Sequence, residues 1–100
     1  MKKVFVINDS GHDMSDAQRY GELVVLTAGE IKKYHLTWLY RKFIERFEGC
    51  SQDDYILISG PVVANCVACS IFAVKHKRLN LLLFTGEKYI LKNLLFKGEL

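Results

Sequence analysis

The sequence predicts an α/β layer fold: one domain over residues 1–100, with a mainly parallel five-stranded sheet in the order 2-1-3-4-5, its last strand antiparallel, and two main helices. Short apolar runs alternate with helix-patterned segments, the arrangement that builds parallel strands joined by helical crossovers. A turn-forming stretch, Thr85-Gly86-Glu87-Lys88, separates the last two apolar runs and marks a closing hairpin. The size agrees: 100 residues, 50% hydrophobic and 25% charged with one proline, supply a single core and leave no room for a second.

The first strand is the continuous apolar run ending at Asn8, which reads as buried on both faces. Asp9 to Asp13 is loop-like. Ser15-Asp16-Ala17-Gln18 has capping-box spacing, so a short helix is expected to run to Gly21, whose missing Cβ suits a C-terminal cap. Glu22 to Thr27 is the second strand. Thr27-Ala28-Gly29-Glu30 repeats the capping spacing ahead of a long helix over 31–48, with Leu36, Leu39, Tyr40, Phe43, Ile44 and Phe47 as its core stripe. Tyr55 to Ser59 is a third, buried strand. Gly60-Pro61 opens a helix to about His76, proline being tolerated at the first helical position. Lys75 to Arg78 places cations where they favour a helix C-terminus; Leu79–Phe84 and Tyr89–Phe96 complete the sheet.

With that strand order the chain reverses direction between strands one and three, opening a crevice at their carboxyl ends. Asn8, Ser10, His12 and Asp13 would line it from one side, and Ser59, Gly60, Pro61 and Asn65 from the other. Backbone N–H groups at the start of the Pro61 helix favour an anion there, so the expected ligand is a phosphate-bearing, nucleotide-like small molecule. The same residues are also ordinary turn formers. His12 beside Asp13 is the candidate general base of an alternative, a small nucleotide hydrolase, because a carboxylate-oriented histidine exchanges protons near neutral pH. No G-x-S-x-G elbow, Walker loop or G-x-G-x-x-G is present. Cys66-Val67-Ala68-Cys69 has redox or metal spacing, yet it begins more than a turn inside an apolar helix and lacks two further ligands, so packing is the expected role and no metal or cofactor is expected.

A third reading is a structural or protein-interaction module. Tyr34 and Trp38 fall opposite the core stripe of the long helix, and the Pro61 helix is apolar nearly all round. With Val62, Val63, Cys66, Cys69, Ala73 and Val74 facing the sheet, Ala64, Ala68, Ile71 and Phe72 would form an outer face for a homo-oligomer, a dimer or higher. The net charge of +3 admits anionic partners, but its 14 basic and 11 acidic residues are dispersed, so nucleic acid is not an expected partner. No window reaches the roughly 20 apolar residues of a membrane span. Met1-Lys2-Lys3 runs straight into a strand rather than a signal peptide, and three cysteines suit a reducing compartment, so the expected location is cytoplasmic, with no membrane partner.

In size and layout the whole chain resembles the small α/β proteins encoded by bacteriophages and mobile elements. The resemblance lies in the strand ending Val6-Ile7-Asn8, the His12-Asp13 loop, the segment from Asp54 through Ile58 to Ser59-Gly60-Pro61, and the closing hairpin strand Leu79 to Phe84. Some compact phage proteins of this kind are oligomers that sequester nucleotide signals of host defence, so the resemblance implies an anti-defence role. No diagnostic motif of those proteins is matched, and no functional residue is carried over.

Overall fold

Val4 and Val6 point to one face of the first strand and Phe5 and Ile7 to the other, and all four are buried. A strand apolar on both sides belongs in the middle of a sheet with both faces covered. The computed structural model, which describes residues 1–32 and 34–98, places it there. The elements are β1 (Lys3–Val6), a 3-10 turn (Ser15–Arg19), β2 (Glu22–Val25), α1 (Leu36–Arg46), β3 (Tyr55–Leu57), α2 (Val62–His76), β4 (Arg78–Phe84) and β5 (Tyr89–Leu95). The sheet order is β2-β1-β3-β4-β5, with every neighbouring pair parallel except the β4–β5 hairpin, as the sequence predicts.

Right-handed crossovers explain how the layers divide. A connection leading from β1 outward to β2 lies on one face, whereas connections leading the opposite way along the sheet lie on the other. The first connection holds only the 3-10 turn, so both long helices share the second face. There Leu39, Phe43 and Phe47 of α1 and its C-terminal cap meet Ala64, Ala68 and Phe72 of α2 over Phe5, Ile7 and Ile56. On the opposite face Met14, Ala17 and Tyr20 cover Val4, Val6, Leu57 and Leu82. The 3-10 turn is tied down by Asp16, whose Oδ2 accepts the Tyr89 backbone N–H at 2.7 Å, and by Arg19, whose guanidinium donates to the Tyr89 carbonyl.

Several local expectations are corrected. Ser15 lies inside the 3-10 turn; the residue that holds its N–H is Asp13, through Oδ1 at 2.9 Å. Gly21 is not a left-handed cap but a close-approach position, where a Cβ would stand 2.4 Å from the Lys2 carbonyl oxygen. Thr27 caps no helix: its hydroxyl donates to the Ile7 carbonyl at 2.6 Å, and α1 starts at Leu36, with His35 at its N-cap. In the expected core stripe only Leu39, Phe43 and Phe47 are buried, while Leu36, Tyr40 and Ile44 form an exposed row beside them. Pro61, with φ −60° and ψ 137°, is the residue before the helix rather than its first residue.

The facing of α2 is corrected in part: Val63, Cys69 and Ala73 pack half-buried against the core as expected. Ala64, Ala68 and Phe72, expected on the outer side, are fully buried against the sheet, and Val62, Cys66 and Val74 are exposed instead. Two alanines one turn apart let the helix backbone approach the strands closely, and Phe72 fills the space beyond them. Asn65 fixes the rotation, since its amide is held by the loop at the end of β3.

Candidate functional site

At the carboxyl ends of β1 and β3 the structure brings Asn8, Ser59, Gly60 and Asn65 together, and binds them to one another. Asn8 is 1% exposed. Its side-chain Nδ2 donates to Thr27 Oγ1 at 2.9 Å and to the Gly29 carbonyl at 3.0 Å, while its backbone N–H donates to Ser59 Oγ at 3.2 Å. Asn65 mimics a strand partner. Its Oδ1 accepts the Ser59 N–H at 3.1 Å, and its Nδ2 donates to the carbonyls of Ser59 at 2.7 Å and Pro61 at 2.8 Å. Ser59 Oγ donates in turn to the Leu57 carbonyl at 3.2 Å. These polar side chains weld three loops, because buried amides and hydroxyls must find partners.

Ser10, His12 and Asp13 stand apart from that cluster, on an exposed loop. The loop is drawn toward β2 by a bridge between Asp9 and Ala28, with the Asp9 N–H donating to the Thr27 carbonyl at 2.8 Å. Asp13 gives its carboxylate to the Ser15 backbone N–H rather than to His12, and that bond holds its pKa below the ordinary carboxylate value. The acid–base pairing expected of His12 and Asp13 therefore has no carboxylate-to-imidazole hydrogen bond.

Cys66 is exposed and Cys69 partly covered; burial first, and then the neighbouring Cys66, push the Cys69 thiol up to about 11. A redox pair needs a lowered thiol pKa, which Cys69 does not have; of the packing role expected for both cysteines only Cys69 packs against the core, while Cys66 faces solvent. Another pair, a thiol and an imidazole, is not apparent from sequence spacing. Cys50, just past α1, lies with its Sγ 3.1 Å from Nε2 of His76, the last residue of α2. Both helices run back across the same sheet face to parallel strands, so their C-termini share one end, which is the signal that would have joined the two. Burial raises the Cys50 pKa and lowers that of His76, so the neutral thiol and neutral imidazole are favoured. Among the described residues no cluster of three or more His, Cys, Asp or Glu is placed to hold a metal.

Two of the surface depressions among the described residues involve the helices and their exposed aromatic residues. The larger, of about 700 Å³, runs between the helices. Leu36, Tyr40 and Ile44 of α1 form one wall and Val63, Val67 and Ile71 of α2 the other, with Lys75 at one end. The second, of about 490 Å³, lies beside the start of α1 and collects Glu30, Lys32, His35, Trp38 and Lys42, with Lys42 Nζ 5.3 Å from the Trp38 ring centre. Of the residues expected at an oligomer interface, Ile71 lines the first depression and Trp38 the second, while Tyr34 is exposed.

Among the described residues no helix is long and apolar enough to cross a membrane. No curated protein and no solved structure matches the chain. A family model matches residues 2–96, nearly the whole sequence, and agrees with the phage-type layout read from the strands and loops: the chain belongs to the phage Pam3 gp32-like protein family.

Proposed function

We propose that the chain is a protein-interaction module of its phage family, working by docking rather than by turnover, through the outer face of α2 and the groove beside α1. One observation carries this reading. From Val62 to Val74 α2 holds no charged residue, although Val62 is 76% and Val74 82% exposed. Solvent-facing helix positions are ordinarily charged or polar, and a contiguous apolar face on so small a domain marks a contact with another chain. The side chains of Asn8, Ser59 and Asn65 in the crevice are engaged in holding their own loops, which leaves them less free to contact a ligand. The test is a photo-crosslinking amino acid at Val74, with Gln18 on the opposite face as control, in cells infected by a phage of this family. A discrete protein adduct at Val74 and none at Gln18 is expected. No adduct at Val74 would overturn the docking reading.

A second reading keeps the nucleotide-like ligand and moves it to the groove by Trp38. Two lysines and a histidine beside an exposed indole combine anion attraction with a stacking surface, although Glu30 opposes an anion there. Trp38 is the only tryptophan in the chain, so its fluorescence reports on the groove. Saturable quenching by linear or cyclic nucleotides, lost in Lys42→Ala, is the expected result; no quenching across the panel would remove this reading.

A further inference from the structure

We propose that the occupant of the α2 face is a second copy of this chain, docked antiparallel about a two-fold axis that passes between the two α2 helices at the level of their midpoints. The inference rests on the docking reading above and names its partner. The exposed row of α2 is Val62, Cys66, Ser70 and Val74, every fourth residue, an i, i+4 ridge inclined to the helix axis, so that the two copies cross at about 50° where such ridges meet. Read from either end it is large, small, small, large. A two-fold interface presents the same patch to itself, so the patch must be complementary to its own reversal. An axis at the level of Ala68 places Val62 against the partner's Val74 and Cys66 against the partner's Ser70, with small side chains at the centre, where two helix backbones come closest.

Polar and charged groups permit the contact. Ser70 is the one hydroxyl on the line, and its Oγ donates to the Cys66 carbonyl at 2.7 Å, so covering it strands no donor. The first charge beyond the line, Lys75, is drawn back onto the other helix, its Nζ donating to the Phe47 carbonyl at 3.1 Å. No like charges therefore meet along the line itself, and antiparallel helices oppose their dipoles favourably. The area is sufficient. The 15 residues of α2 span about 22 Å. Together with the α1 flank carrying Leu36, Tyr40 and Ile44, each about half exposed, and with Val62 and Val74 more than three-quarters exposed, that face is comparable with the roughly 600 Å² per partner at which stable interfaces begin. A dissociation constant in the micromolar range is the matching expectation.

The experiment combines sedimentation with disulfide trapping of the full chain. The unmodified protein should sediment as a dimer at about 100 µM, and Val74→Glu should weaken the association at least tenfold. Ser70→Cys, oxidised with glutathione disulfide, should form a dimer bridged twice through Cys66. In the Cys66→Ser, Ser70→Cys control the two introduced thiols lie about 6 Å apart along the axis, and the bridge should be lost. Circular dichroism verifies that each variant is folded, and a Val62→Cys, Val74→Cys pair in the Cys66→Ser background traps the same register independently. A dimer that neither pair traps overturns the two-fold arrangement while leaving docking intact. A monomer at that concentration overturns the second copy as occupant. A photo-adduct at Val74 of a mass other than two chains would then leave the docking reading standing, whereas absence of any adduct removes both.

Discussion

Gly60 is the residue on which the end of β3 turns toward α2. Its φ of +75° lies in the left-handed region, and a Cβ there would stand 2.4 Å from the Cβ of Asn8, itself buried and hydrogen-bonded. Only glycine meets both demands. Gly11, with φ +98°, has nothing within 4 Å of its would-be Cβ, so it carries the conformational demand without the steric one. Gly60→Ala should therefore cost about 2–4 kcal/mol and Gly11→Ala about 1 kcal/mol, backbone strain being common to both and displacement of Asn8 belonging only to the first. Urea midpoints of the two variants decide the matter, and equal losses would refute the close packing of Gly60 on Asn8. The sequence shows Asn8 and Gly60 as polar and turn residues at strand ends, which suits a binding site and a weld between loops equally well. Which of the two they form depends on hydrogen bonds to Thr27, Gly29 and Ser59, and no local pattern reveals those partners.

Element by element, strand identity was legible and helix facing was not. The apolar runs Val4 to Ile7 and Tyr55 to Leu57 are buried throughout and Leu79 to Leu82 mostly so, which marks them as strands, and right-handed crossovers between them set the order. In α1 the periodic stripe is wider than the buried one, because Leu36, Tyr40 and Ile44 share the helical spacing of Leu39, Phe43 and Phe47 yet face the groove. In α2 apolar residues surround the axis, and periodicity gives no preferred side; the close approach permitted by Ala64 and Ala68 and the anchoring of Asn65 select it. Phe72→Ala should lose about 3–5 kcal/mol, as emptying a fully buried aromatic site does. Val74→Ala, on the opposite side, should change the stability of the dilute protein by no more than about 0.5 kcal/mol. Thermal unfolding at low micromolar concentration distinguishes the two, and a reversed ranking would restore the facing expected from sequence.

Across the whole molecule the two faces of the sheet are covered unequally. One carries two helices with a continuous aromatic core, in which Phe47 packs edge-on against both Phe5, at 5.0 Å between ring centres, and Phe72, at 6.1 Å. The other is closed by the short 3-10 turn, whose Met14 and Ala17 cover Val4, Val6 and Leu57. A five-residue turn has few internal hydrogen bonds to lose, so its closure relies on the links from Asp16 and Arg19 to Tyr89 at the start of β5. Local opening requires less free energy where fewer buried contacts must separate, and the turn should open well below the global unfolding free energy. Native-state hydrogen exchange is expected to show the amides of Ala17 and Tyr20 exchanging at least tenfold faster than those of β1 and β3. Asp16→Ala should raise the rate at Tyr89, whose N–H loses its acceptor, while leaving Ile56 unchanged in the middle of β3. Protection of Ala17 equal to that of Ile56 would instead mean that the turn and the central strands unfold as one unit.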